Sequence, residues 1–289
     1  MGRMHCSANG LRPRGRGFDR RDRESRTGGK AVSQMTTTKW VIDAVKLGEL
    51  RDIPAEQIYL KDHSQRILSI PLVMFVLRSG DRTVVVDTGG PANEEQIRRM
   101  IPFGYAVKEA DRMENALARL GVRADDVDLV INTHLHWDHC SNNDVFRNAE
   151  ILVQRDELGY AAAPCPEHLR AYGITAGFVP PFARFLDRVR PLDGGIEIAP
   201  GLGILPLPGH SPGSQGVRVD TGEGTFVITG DCVDTFDNWD NGGAALPLPS
   251  GRFTDLRAFY ASLAHLKGTG WKPLPSHDHT VVEKGTFGY

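Results

Sequence analysis

The chain has 289 residues, with 34 basic against 36 acidic side chains, 40% hydrophobic and 24% charged residues, within the range of soluble globular proteins. The net charge of −2 averages two unlike parts: residues 1–34 hold nine Arg/Lys and three Asp/Glu, hence +6, which leaves −8 for the remainder. An acidic body argues against a phosphate-backbone-binding surface as its main business. Cysteines at 6, 140, 165 and 232 form no CxxC pair, so no disulfide framework is expected and a reducing cytoplasm fits. The longest apolar run, 70–77, contains Pro71 and falls far short of the roughly 20 residues of a membrane span. Arg20-Arg21 precedes no apolar segment, so no export signal is read there and the expected localisation is cytoplasmic.

Residues 1–34 are rich in Arg, Gly and Ser and nearly free of large apolar side chains. Such a segment cannot bury enough surface to offset its ordering entropy and reads as a disordered tail. It is either a basic arm or an over-extended translation start with Met35 as the true first residue. The second is preferred, because the folded part gives an arm nothing to assist. The remainder, 35–289, reads as one domain. Stretches 70–77 and 83–86 have strand composition, the second running into Asp87-Thr88-Gly89-Gly90. Segment 109–120 has apolar residues at helical spacing and ends at Gly121. Next come strands at 128–132 and 149–153 and a helix from Asp156. Short strands at 204–207, 216–219 and 225–229 are separated by Gly and Pro turns. A helix over 255–266 leads to a strand-like 271–274. Strands interleaved with helices indicate a layered α/β fold with chemistry on the loops at strand ends.

The histidines are unevenly placed. Thr133-His134-Leu135-His136-Trp137-Asp138-His139 follows an apolar strand directly. Two residues apart in extended backbone, the rings of His134 and His136 face the same side. Asp138 and His139 follow on the turn. Imidazole nitrogen and carboxylate oxygen suit Zn²⁺, with Fe, Mn and Co as competitors. A lone histidine is usually a hydrogen-bonded core or surface residue, and His63, His168 and His265 keep that reading, with His168 the one to look for near a substrate mouth. Three imidazoles and a carboxylate packed so closely would repel one another unless a cation sat among them.

The sequence resembles the metallo-β-lactamase superfamily at five ordered motifs. Val84-Val85-Val86-Asp87-Thr88-Gly89 looks like the first, and His134, His136, Asp138 and His139 match the second. Pro208-Gly209-His210-Ser211-Pro212-Gly213-Ser214 resembles the third, Thr229-Gly230-Asp231-Cys232 the fourth, and Ser276-His277-Asp278 the fifth. The resemblance implies a four-layer αββα sandwich with two divalent metal ions, Zn²⁺ foremost. It places His134, His136 and His210 on one metal and Asp138, His139 and His277 on the other, with Asp231 between them. Asp87 would support the ligand loop through hydrogen bonds. His279 is the rival of His277. Cys140 and Cys232 read as small buried packing residues behind the site.

Two metals about 3.5–4 Å apart lower the pKa of a shared water, so the expected reaction is attack of a metal-bridging hydroxide, with Asp138 and Asp231 positioning metals and nucleophile. Within the superfamily the chain most resembles N-acyl-homoserine lactonases, through 109–143, and a lactone or related ester is the expected small-molecule substrate. Those lactonases carry a substrate-holding Tyr three residues after the bridging Asp, where this chain has Asp234. Tyr160, Tyr172 or Trp239 are candidates for that role, with 236–243, including Phe236, as a pocket wall. The alternatives are a glyoxalase-II-like thioesterase, with Lys267, Lys272 and Lys284 as a thin basic patch, and a mono-iron sulfur dioxygenase. No nucleic-acid or membrane partner is expected. A homodimer is compatible with the resemblance, although no interface is legible.

Overall fold

The computed structural model describes residues 39–175 and 177–289; the expectation for 1–34 lies outside the described residues. One sheet contains β1 (Val41–Pro54), β2 (Ile67–Ser79), β3 (Arg82–Val86), β4 (Gly104–Ala106), β5 (Leu129–Ile131), β6 (Glu150–Gln154) and β7 (Val189–Leu192). The other contains β8 (Ile196–Ala199), β9 (Leu202–Pro206), β10 (Gln215–Thr221), β11 (Gly224–Ile228) and β12 (Lys272–Leu274), and β13 (Thr286–Phe287) returns to the first beside β1. The orders are β13-β1-β2-β3-β5-β6-β7, with β4 also on β1, and β12-β11-β10-β9-β8.

Alternation along the strands builds the layers. Val73, Phe75, Val84, Val86, Leu129, Ile131 and Leu152 of the first sheet meet Leu202, Ile204, Val217, Val219, Phe226 and Ile228 of the second in one core. The intervening residues Met74, Val76, Val85, Val130, Ile151 and Val153 point the other way. There they pack under Met113, Ala116 and Leu117. The second sheet does the same with Val227, packed with Phe259, Leu263 and Leu266. The middle of the first sheet is therefore apolar on both faces, which is why its strands carry continuous apolar runs. The helices are α1 (Glu94–Arg98), α2 (Met113–Leu120), α3 (Trp137–Cys140), α4 (Arg155–Ala162), α5 (Phe236–Asp240), α6 (Leu256–Thr269) and α7 (His279–Lys284). With α2 outside one sheet and α6 outside the other, the order is helix, sheet, sheet, helix.

Most expected elements occur within a few residues of their place. Segment 109–120 divides into a 3₁₀ turn, Glu109–Asp111, and α2, because Arg112 between them is extended. Asp255 lies just outside α6 as its cap, its carboxylate accepting from Arg257 N and Ala258 N. Strand β1 has no counterpart in the sequence reading. Its register against β2 shifts between Lys46 and Gly48 and again between Leu50 and Ile53, so its apolar alternation changes phase twice.

Strands β3, β5, β6 and β7 are mutually parallel, as are β11 and β12. Asp87 follows β3, His134 follows β5, His210 follows β9, Asp231 follows β11 and His277 follows β12. The chemistry-bearing residues thus leave the carboxyl ends of strands in both sheets, where open α/β architectures place ligands.

Candidate metal centre

The ligand-type atoms converge in two adjoining groups. His134, His136, His210 and Asp231 form one, and Asp138, His139 and His277 the other. In the first, His136 Nδ1 is 3.0 Å from both His134 Nε2 and His210 Nε2, and Asp231 Oδ2 is 3.3 Å from His210 Nε2. In the second, Asp231 Oδ1 stands 3.1 Å from His139 Nε2 and 3.0 Å from His277 Nε2, and Asp138 Oδ2 lies 4.0 Å from His139 Nε2. Asp231 thus faces both groups, one oxygen toward each. All seven residues are buried.

The outward ring nitrogens show what orients the inward ones. His210 Nδ1 donates to Arg252 O at 2.9 Å, His277 Nδ1 to Pro71 O at 2.9 Å, and His139 Nδ1 to Asp87 Oδ2 at 2.8 Å. Each of these rings therefore turns its Nε2 inward, where it can offer a lone pair to a cation once that nitrogen is free of a proton. Such outer partners characterise metal-ligating histidines. His139 Nε2, His277 Nε2 and both oxygens of Asp231 are buried without a hydrogen-bond partner. Buried polar atoms are seldom left so. An all-N/O donor set of inward lone pairs around a carboxylate fits divalent cations of the Zn²⁺ type.

The charges divide along the same line. Burial, reinforced by the neighbouring imidazoles, holds His134 and His136 well below the usual histidine range. Burial likewise brings His210 down to about 4, against the pull of Asp231. Burial opposes the charge on His139 too, but Asp231, Asp87 and Asp138 outweigh it and raise this ring well above its ordinary value. His277 is raised against burial chiefly by Asp231. Burial pushes Asp231 up, and His139, His277, His210 and His134 together bring it well below the carboxylate range.

Asp87 holds the histidine loop. Its carboxylate accepts from Thr133 N at 2.8 Å and Thr133 Oγ1 at 2.7 Å as well as from His139. Its backbone is left-handed, φ +56°, a conformation that Asp tolerates better than most residues. Gly230, at φ +53°, brings the next loop so close that a Cβ would lie 2.7 Å from the Thr133 side chain. Asp87→Asn should keep the fold but lose an acceptor, and metal affinity should fall about 10–100-fold. Titration with a metal indicator checks this, and unchanged affinity would remove Asp87 from the role.

A cavity of about 460 Å³ opens beside the centre, lined by His136, Asp138 and His210 on one side. Leu50, Met100, Ile101, Phe103 and Phe253 supply apolar wall, and His168, Arg170 and Arg252 supply polar groups. Tyr160, Tyr172, Asp234, Phe236 and Trp239 do not line it. Tyr172 is fully buried, donates to Glu157 Oε1 at 2.9 Å, and packs edge-on against His136. The Tyr160 hydroxyl is engaged by His168 Nδ1 at 2.7 Å and Cys165 Sγ at 2.8 Å. Phe236 and Trp239 line a separate surface groove with Trp271 and Lys272. The stretch 236–243, expected as a pocket-wall loop, is α5 followed by a 3₁₀ turn, started by a Thr235/Asn238 capping box. Asp234 is buried beside Asp231 and His277, and neither of its carboxylate oxygens is hydrogen-bonded. His279 is turned away, Nε2 toward Ser69 O. Cys140 and Cys232 are buried and free, and burial pushes both thiols up.

The sequence reading missed Glu157. Buried in the first turn of α4, it accepts from Leu135 N at 2.9 Å, Tyr172 Oη at 2.9 Å, Ser211 Oγ at 2.5 Å and Gly213 N at 3.2 Å. It therefore ties the loop of His134 and His136 to that of His210. No sequence signal distinguishes it from the exposed acids that ordinarily start helices.

Comparison with known proteins agrees with this geometry. The family model described as Metallo-beta-lactamase superfamily matches residues 71–283. An N-acyl homoserine lactonase of Bacillus thuringiensis is 32% identical over 205 residues, 65% of this chain and 77% of that protein. One from Agrobacterium fabrum is 27% identical over 190 residues, 61% and 68%. A solved quorum-quenching N-acyl homoserine lactone lactonase superposes with a TM-score of 0.67 at 25% identity, over 85% of this chain and 94% of that one. The matched span contains every residue of the two ligand groups, and the chain belongs to the metallo-beta-lactamase superfamily, in the company of its N-acyl homoserine lactonases.

Proposed function

We propose that this hydrolase opens a lactone of the N-acyl-homoserine-lactone kind, using two divalent cations held by His134, His136, His210 and Asp231 on one side and by Asp138, His139, His277 and Asp231 on the other. The observation that carries the reading is the pairing of the two inward-facing groups across Asp231 at the wall of a largely apolar cavity. Two such cations, when bound, lower the pKa of water toward neutrality and polarise an ester carbonyl.

The protein's own part is positioning. Asp87, Arg252 O and Pro71 O fix three rings, so their lone pairs need no reorganisation during turnover. Asp138 stands at the boundary between the ligand group and the cavity, where it can orient the nucleophile. Leu50, Met100, Ile101, Phe103 and Phe253 offer an acyl chain an apolar wall and exclude water from the reacting carbonyl.

Two features weigh against the alternatives. Lys267, Lys272 and Lys284 lie over Trp239, Phe226 and Phe287 and line no part of the cavity, so these three lysines offer a glutathione thioester no basic patch beside the centre. The complete second group, Asp138, His139 and His277, is one that a mono-iron dioxygenase would not need. Among the described residues no helix is long and apolar enough to cross a membrane.

The test is a hydrolysis panel of acyl-homoserine lactones, aryl lactones, thioesters and a β-lactam, run beside elemental analysis. Lactone turnover with about two Zn, Mn or Co per chain is expected. Thioester turnover without lactone turnover, or one Fe with O₂ uptake, would overturn the reading. Chelation should lower thermal stability by about 3–4 kcal/mol if the free metal had stood at 100–1,000 times its dissociation constant.

A further inference from the structure

One strong cation in the cavity wall lacks a hydrogen-bond partner for two of its nitrogens among the described residues. The Arg252 side chain is 30% exposed and lines the cavity beside His136, Asp138 and His210. Its Nε and Nη2 are nevertheless buried, with no hydrogen-bond partner among the described residues. The nearest carboxylate oxygen, Asp231 Oδ2, is 3.9 Å from Nη2, too far for a hydrogen bond, and it already faces the ligand histidines. The charges acting most on Arg252 are the carboxylates of Asp234, Asp231 and Asp138. A guanidinium has five N–H donors in a planar fork that matches a carboxylate. Nη1 is not among those buried atoms, so the fork is presented to the cavity through it, and a ligand oxygen can take up its hydrogens there.

Building on the lactonase reading, we propose that Arg252 is a substrate-binding residue that donates to the scissile carbonyl oxygen and then holds the carboxylate formed when the ring opens. In that reaction the acyl carbon–ring oxygen bond breaks and the water oxygen bonds to the acyl carbon. One water proton passes to the departing ring oxygen, and the resulting acid releases the other. The product thus carries an anion that the substrate lacked, and a fixed cation beside it favours the change. Arginine suits this task better than lysine, because one fork serves first a single oxygen and then two.

Substitution at 252 isolates the side chain. The atom that orients His210 is the backbone carbonyl of Arg252, which every variant retains. The experiment uses metal-loaded full-length chain, wild type, Arg252→Gln and Arg252→Lys, with metal content measured in each. Calorimetric titration with hexanoate and with hexanamide compares a carboxylate with a neutral amide of equal length, alongside kcat and KM on a lactone. In R252Q the affinity for hexanoate should fall about 10–100-fold, with hexanamide changed far less, metal content retained, and kcat reduced more than KM is raised. R252K should fall between. Hexanoate affinity within twofold of wild type in metal-loaded R252Q would overturn the proposal. So would loss of metal in R252Q with R252K behaving as wild type, since Arg252 would then act only as countercharge to the centre. If R252Q does not fold, R252K decides alone: undiminished hexanoate affinity overturns the proposal and a clear loss supports it. Should wild-type protein open no lactone at all, the lactonase reading fails, while the comparison of hexanoate with hexanamide still decides whether Arg252 receives a carboxylate.

Discussion

Asp231→Asn should take the protein from about two bound metals per chain to one or none and reduce turnover on the order of 10³-fold. The change is nearly isosteric, so packing around the buried side chain survives. What is lost is a charge that faces four imidazoles. In the metal-free protein that charge keeps His139 and His277 protonated more readily than an ordinary histidine. Metal therefore competes with protons for both rings, and affinity should weaken as pH falls. Calorimetry in buffers of different ionisation enthalpy reads the proton release directly. In Asp231→Asn, with the raising carboxylate gone, proton release should shrink along with metal affinity. A variant that retained both metals and full turnover would sink the assignment of Asp231 to the centre.

Glu157→Ala is expected to produce the largest loss of stability. Removing the carboxylate strands the N–H groups of Leu135 and Gly213 and the hydroxyls of Tyr172 and Ser211. Breaking buried arrangements of this kind costs about 3–5 kcal/mol, or roughly 6–20 °C in a domain of this size. Measured with chelator present, the thermal midpoint reports that term alone. With metal present the variant should also bind about 10–100-fold more weakly, because His134, His136 and His210 lose the tie between their loops. Glu157→Gln should lie between, since its amide nitrogen would meet Gly213 N–H, donor against donor. A wild-type midpoint in Glu157→Ala would show that the loops are held by other means.

The ligand-type residues were legible because metal chemistry compresses into local text. HxHxDH places four candidates on one loop after β5, and His210, Asp231 and His277 each sit in a short Gly- or Ser-containing turn at a strand end. Strands β2, β3, β5 and β6 were legible for a different reason: both faces of the sheet are buried at their centres, so each contains an apolar run of three residues or more. Strand β1 was not, because two register shifts scramble its alternation and Lys46, Glu49 and Arg51 look like loop residues. The substrate-side candidates are placed differently from the ligand-type residues, which converge. Aromatic residues near the site in sequence suggested a pocket wall, but Tyr172 is committed to Glu157, and Phe236 and Trp239 line another groove. The cavity wall beyond the ligand-type residues comes from 100–103, 167–168, 170–171 and 251–253, together with Leu50, Gln57 and Trp137. These segments meet only in three dimensions. Glu157 was hidden for the same reason, since a glutamate starting a helix looks alike whether it faces water or four buried donors.

The placement of the ligand-type residues at the ends of both sheets also bears on how the molecule comes apart. His134, His136, Asp138 and His139 leave the first sheet, and His210, Asp231 and His277 leave the second. Neither half alone presents a complete set. Cations bound there would clamp the two sheets at one edge and do so only after the layers have docked, late in folding. Such a clamp slows unfolding far more than it speeds folding. The expected signature is kinetic: metal should lengthen the lifetime of the native state, and amide protons in the core between the sheets should gain the most protection from exchange.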